Sequence, residues 1–313
     1  MSNMMQAIRV HDYGASDVLT LETIASPEPQ PNEVLIRVQA AGVNPLDWKI
    51  RAGYMKEVFP MPLPFTPGMD VAGTVEAIGT EVKTFQVGQA VYGELKMGAY
   101  AEFATASQDA IALKPQTLDF VQAASVPMVA MTAYQALFDH ADLQPGQSVL
   151  IHAASGGVGI FAVQFAKWKG AHVIGTASTA NAEFVQSLGA DQVIDYRATP
   201  FEQVVQNVDV VLDTLGGDTQ ARSYSVLKPG GILVSTPAPP DAQKAQERGV
   251  RAEMVNMKIS ASLLQEIADL LDSGQVKTVV AQTFPLSEAR QAQDLSQDGY
   301  VRGKIVLQIS AEA

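Results

Sequence analysis

Residues 149–179 read VLIHAASGGVGIFAVQFAKWKGAHVIGTAST. An apolar run ends near His152 and a turn of small residues follows. Val158, Phe161, Ala162, Phe165 and Ala166 then recur at helical spacing. The turn carries the spacing Ala154-x-Gly156-x-x-Gly159. Small residues so placed suit an anion. Gly156 lets backbone come close to a pyrophosphate, and Gly159 lets a helix pack tightly on a strand. The start of the helix, around Ser155, Gly157 and Val158, offers unpaired N–H groups and a partial positive charge. Strand, glycine turn, helix and second strand together form the context in which this spacing denotes a dinucleotide site rather than an ordinary tight turn.

The second apolar run ends without a carboxylate. NAD sites usually place Asp or Glu there, to bind the ribose 2′-OH. Here the residues are Thr176, Ala177, Ser178 and Thr179. A carboxylate would repel a 2′-phosphate, whereas small hydroxyl residues accommodate one, so NADPH is the expected cofactor. The cation that would meet the phosphate is left open, because no Lys or Arg lies between 177 and 186. Arg197 in DYRATP, or Arg302 and Lys304 in VRGKIVL, could supply it, and each could equally be a solvated surface cation.

The elements around this turn must form a sheet. From about residue 120, apolar stretches (SVLIHA, AHVIGT, QVIDY, VDVVLDT, GGILVST and a weaker VRAEMVN) alternate with helical ones. That pattern predicts a parallel sheet covered on both faces. DFVQAASVPMVAMTAYQALFDH reads as helix, interrupted or restarted near Pro127. Residues 1 to about 120 read as mostly β. In EVLIRVQAAG, Val34, Ile36 and Val38 share one face. Further short strands, separated by glycine turns, suggest a sandwich or partial barrel, with 54–68 a proline-rich loop. The last segment is a helix and then a strand, which is expected to rejoin the first domain.

Bulk properties narrow the class. The 313 residues suggest two domains, and 47% apolar content allows real cores. A net charge of −12 argues against a nucleic-acid partner bound through a broad basic surface. With no cysteine there is no disulfide, thiolate zinc site or cysteine nucleophile. His11, His140, His152 and His172 have no metal-ligand spacing and read as structural, so no metal ligand is expected. There is no signal-peptide pattern and no apolar run of membrane-spanning length, so the expectation is a soluble, cytoplasmic protein.

The combined run Gly146-Gln147, Leu150, Ala154-Ser155-Gly156-Gly157-x-Gly159, Gln164 and Lys167 resembles the signature of the quinone oxidoreductase/zeta-crystallin proteins. These are the zinc-independent branch of the medium-chain dehydrogenase/reductase superfamily. GVNPLDWKIRAG, PGMDVAGTVEAIG, MTAYQAL, LDTLGGD and RGKIVL extend the resemblance along nearly the whole chain. It implies a Rossmann-type doubly wound α/β domain over 124–279. It also implies a mainly β GroES-like domain over 1–123, with 280–313 returning to it. Zinc relatives have a catalytic Cys where Asn44 stands and a His in the motif that reads PGMD here.

By the same resemblance, nicotinamide and its ribose lie near Thr132, Gly156, Val158 and the backbone at Leu215–Gly216. The adenosine phosphate lies near Ser178 and Tyr196. A family lysine after the second strand is missing. The implied reaction is hydride transfer to a quinone, which needs an oriented acceptor and a donor for the developing oxyanion. Asn44 and Tyr54 are the candidate donors. A turn residue before Pro45 and a loop aromatic would explain them as well. Asp47 and Asp70 read as structural, and Phe59, Met61 and Phe65 as pocket walls or loop anchors. Reduction of an enone C=C bond is the alternative activity, and a redox sensor without turnover a third reading. Family members commonly dimerise through sheet edges, so a homodimer is expected.

Overall fold

The computed structural model describes residues 4–310. They form two compact units. One runs to Met128 and takes in Ile259–Gly274 and the chain from Thr278; the other is Val129–Lys258 with Gln275–Lys277.

The first unit is mainly β. Strands β1 (Met4–Val10) and β2 (Leu19–Ala25) pair with each other. Then come β3 (Glu33–Val43), β4 (Asp70–Ile78), β5 (Ala90–Glu94), β6 (Phe103–Ser107) and β7 (Ile111–Leu113). The second unit contributes β8 (Ser148–Ile151), β9 (His172–Ala177), β10 (Gln192–Asp195), β11 (Val208–Asp213), β12 (Leu227–Ser235) and β13 (Arg251–Met254). The chain ends with β14 (Val280–Pro285) and β15 (Lys304–Gln308).

The seven-stranded sheet of the first unit has the order β14-β15-β3-β4-β5-β7, with β6 also on β3. The alternation along β3 sets its faces. Val34, Ile36 and Val38 are fully buried, while Arg37 points outward to Glu76 at 2.8 Å. The last strand does rejoin this sheet: β15 lies antiparallel to β3, with Leu307 opposite Ala41. Helix Ala261–Asp272 belongs to this unit too, since Tyr92 donates its hydroxyl to Leu264 O at 2.5 Å.

The second unit holds six strands in the order β10-β9-β8-β11-β12-β13, all parallel. Val149, Leu150 and Ile151 of the central β8 are each fully buried, as a strand covered on both faces requires. The chain winds outward from β8 to β10, then crosses to the other side of β8 for β11–β13. This is the Rossmann-type doubly wound order, with its switch point between β8 and β11. Helix Gly157–Trp168 follows β8 and is buried from Gly159 to Ala166. Two of its polar residues fasten it. The Gln164 side chain donates to Lys277 O (2.9 Å) and accepts from Lys277 N (2.8 Å), and Lys167 meets Asp191 at 2.5 Å. Among the described residues, no helix is long and apolar enough to cross a membrane.

Candidate functional site

At the switch point two loops meet. The loop after β8 is linked to β11 and its following loop: His152 N donates to Leu212 O at 3.0 Å, and Thr214 Oγ1 to His152 O at 2.9 Å. The β8 loop turns sharply, with Ala153 in the left-handed region at φ +49°. Thr176, on β9, holds it there by accepting from Ala153 N (3.2 Å, Oγ1) and Ala154 N (3.0 Å, O). The buried His152 ring bonds Thr176 Oγ1 through Nδ1 and Ser223 Oγ through Nε2. Ser223 spends its own hydrogen on Thr219 O, so Nε2 donates to Ser223, and Nδ1 accepts from Thr176. Burial pushes this imidazole down to about 4, so it is a neutral strut at neutral pH.

The glycines of the turn differ in what they make room for. A Cβ on Gly159 would stand 2.3 Å from Ala153 O and 2.7 Å from Ala154 Cα. Helix and turn touch there, and no side chain fits. On Gly156, the N-cap of the helix, a Cβ would meet only Ala153 O, at 3.3 Å. Protein packing therefore explains Gly159 but leaves the smallness of Gly156 to something that approaches from outside.

The β11 loop is shaped by Asp213, which is fully buried. Its Oδ1 accepts from Leu215 N (3.0 Å) and Gly216 N (2.9 Å), and its Oδ2 from Ser235 Oγ (2.9 Å) and Gln220 Nε2 (3.1 Å). The loop's amides are thus turned inward and Gly216 takes φ +74°. Leu215 is half exposed.

At the end of β9, Ser178 is the N-cap of helix Thr179–Ser187, yet its hydroxyl makes no capping bond. Tyr196 N donates to Ala177 O at 3.2 Å, which brings Tyr196 beside Ser178. The Arg197 guanidinium lies 5.6 Å from the centre of the Tyr196 ring. Ser155 Oγ accepts from Asn181 Nδ2 at 3.1 Å, joining this region to the glycine turn. Thr132 sits half-buried on helix Pro127–Tyr134.

The first unit carries a buried polar cluster. Asn44 is the N-cap of helix Pro45–Arg51 and is 1% exposed. Its Nδ2 donates to Asp70 Oδ2 at 2.9 Å, and its Oδ1 accepts from Lys304 Nζ. Lys304 also donates to Val43 O (3.0 Å) and pairs with Asp70 Oδ2 (3.4 Å). Asp47 Oδ2 closes the capping box by accepting from Asn44 N (2.7 Å), and takes Tyr100 Oη at 3.0 Å. Glu94 faces Asp70 in the β4–β5 ladder. Burial pushes the Asp47 carboxyl up to about 7, and burial together with the Asp70 charge pushes Glu94 up to about 9.

The expected residues therefore fall into groups. Ala154, Ser155, Gly156, Gly157, Val158, Leu215 and Gly216 gather at the switch point, and Ser178 with Tyr196 at the end of β9. Lys304 lies in the first unit's cluster, its ammonium held by Val43, Asn44 and Asp70, while Arg302 is exposed on the turn before β15. Asn44 and Tyr54 sit at opposite ends of one helix. Tyr54 is 73% exposed with its ring edge-on to Trp48, whereas Asn44 is enclosed. Asp213 escaped the sequence reading. Its signal is an acid that follows Val-Val-Leu at the end of a strand, just before Thr-Leu-Gly-Gly.

Two predictions follow from this geometry. Gly156→Val is expected to leave the melting temperature nearly unchanged and to abolish dinucleotide binding. Gly159→Ala is expected to lower stability by about 1–3 kcal/mol through overpacking. Calorimetry and binding titration check both. A third prediction concerns pH. Glu94 keeps its proton in the fold but not in the unfolded chain, so its contribution is full at acid pH and is lost as pH rises towards 9. Between pH 8 and 9, above the titration of Asp47, Glu94→Gln is expected to flatten the fall in stability by at most about 1.4 kcal/mol per pH unit. Denaturant unfolding that gave parallel slopes for the two proteins would contradict the assignment.

Comparisons with known proteins agree with this architecture. Residues 30–116 match the alcohol dehydrogenase GroES-like domain family and residues 188–307 the zinc-binding dehydrogenase family. The structure of the quinone oxidoreductase from Coxiella burnetii superposes with a TM-score of 0.93 at 36% identity, over 98% of this chain and 100% of that one. Escherichia coli quinone oxidoreductase complexed with NADPH superposes at 0.89 with 30% identity, over 97% and 100%. The 2-methylene-furan-3-one reductase of Solanum lycopersicum is 35% identical over 320 residues, 97% of this chain and 79% of that protein. The chain belongs to the medium-chain dehydrogenase/reductase superfamily, in its quinone oxidoreductase (zeta-crystallin-like) branch.

Proposed function

We propose that the protein is an NADPH-dependent quinone oxidoreductase that works without a metal. The observation that carries the proposal is the ledge at Gly156, kept small although only one backbone oxygen lies within contact of a Cβ there. A pyrophosphate approaching the first turn of helix Gly157–Trp168 would use that space and the N–H groups of Gly157 and Val158. Thr132 and the Leu215–Gly216 backbone would hold the nicotinamide end, with Asp213 keeping that backbone in place. The hydroxyl of Ser178, not spent on capping, would meet the 2′-phosphate beside Tyr196, with Arg197 as the cation. Arg197 is nearer in sequence to Tyr196 than Arg302 is, and the Lys304 ammonium is held by Val43 and Asn44. Bound there, the reduced nicotinamide supplies a hydride, and with one proton the quinone becomes a hydroquinone.

The chain's own part is to bind, orient and exclude water. Of the two expected donors, Tyr54 exposes its side chain to solvent, whereas the Asn44 amide is committed to Asp70 and Lys304. Tyr54 is therefore the better partner for an oxyanion on the acceptor. The donor set suits no zinc ion, since there is no cysteine and a buried ammonium lies between Asn44 and Asp70. The edge strand β13 is the proposed seam of a homodimer.

The similarity to the tomato reductase favours a second reading, reduction of the C=C bond of an enone, in which a proton must also reach carbon. NADPH consumption against a panel of quinones and enones, with and without chelator, separates the readings. Turnover with quinones unaffected by chelator is expected. Saturated carbonyl products with no quinone turnover would establish the second reading, and tight NADPH binding without oxidation by any acceptor would contradict both. Ser178→Asp is expected to weaken NADPH at least about 10-fold more than NADH, because it sets a carboxylate against a phosphate. Equal losses in a binding titration would remove Ser178 from the site.

A further inference from the structure

We infer that Asp70, held by Lys304, is a positioning residue that sets the helix carrying Thr132; this rests on the cofactor site proposed above. The first turn of helix Pro127–Tyr134 needs acceptors for its N–H groups. The local candidate is spent elsewhere, since Ser125 Oγ bonds Gln122 O and Thr278 Oγ1, both at 2.6 Å. Asp70, 58 residues earlier on β4, supplies the acceptor instead: its Oδ1 takes Met128 N at 2.9 Å.

The arrangement is built for this. Asp70 is fully buried, and a carboxylate at a helix start is favoured by the aligned peptide dipoles. Its other oxygen is fixed by Asn44 Nδ2 and Lys304 Nζ, so the carboxylate cannot swing away from Met128. Gly42 makes the space. A Cβ there would stand 2.4 Å from Ala124 O and 2.9 Å from Asp70 Cβ. Thr132 lies one turn along the same helix from Met128. Any shift of the helix start is therefore passed to Thr132, and misplacement of a group that orients a hydride donor costs rate more than affinity.

Two double variants isolate the bond. D70N/K304M and D70L/K304M both remove the buried charge pair together, a change that folds usually tolerate. They differ in whether residue 70 can still bond Met128 N and the Asn44 amide, and exchange in the first turn of the helix reads the first of these bonds. Amide hydrogen exchange over residues 128–134 and quinone turnover with NADPH are measured for both. In D70L/K304M, exchange is expected to be at least about 10-fold faster than in D70N/K304M, with kcat lower by about 10-fold or more and NADPH affinity within about threefold. Equal exchange in the two variants would overturn the anchor. Faster exchange with equal kcat would overturn its bearing on Thr132. The exchange comparison stands even if the wild-type protein oxidises no NADPH, an outcome that would instead refute the proposed function.

Discussion

The loop after β8 and the helix behind it touch backbone to backbone. Gly159 meets the Ala153 carbonyl where no Cβ could stand, and Ala153 must enter the left-handed region to make that contact. A non-glycine residue there costs on the order of 1 kcal/mol. Thr176 and the neutral His152 ring offset the cost through bonds to the turn and to Ser223. With the turn held from behind, the helix start is left partly exposed at Gly157 and Val158. The placement of Gly156, Gly157 and Val158 depends on that contact.

The second loop is stabilised by a different device. Asp213 collects donors from two backbone amides and two side chains, so a buried carboxylate is solvated by the protein itself. The first unit's cluster is less balanced. Asp47, Asp70 and Glu94 crowd around a single ammonium, and Asp47 and Glu94 are pushed towards their neutral forms. Such a cluster costs stability at alkaline pH. What it secures is geometry: the Asn44 cap, the Lys304 strand and the start of the Pro127 helix are tied to one carboxylate.

Features written in local pattern were legible in the sequence. The alternation of Val34, Ile36 and Val38 foretold which face of β3 is buried. The small-residue turn foretold the tight junction of β8 with its helix, and Pro127 marked the helix restart. Features made by long-range pairing were not legible. Asn44 and Lys304 are 260 residues apart and meet only because β15 lies against β3. A lysine in RGKIVL therefore reads as a free cation until the strand order is known. Asn44 reads as a donor open to substrate for the same reason. Asp213 is hidden for another reason: Leu215, Gly216 and Gln220 are near it in sequence, but only the folded loop turns them, together with Ser235 of β12, onto one carboxylate.

The central claim is that a dinucleotide lies across the mouth of helix Gly157–Trp168. A crystal structure of the protein with reduced coenzyme tests it most directly. The account predicts pyrophosphate oxygens within hydrogen-bonding distance of the amides at residues 157 and 158, with backbone at Gly156 in van der Waals contact. Coenzyme bound elsewhere, or a side chain filling that mouth at saturating coenzyme, would contradict it.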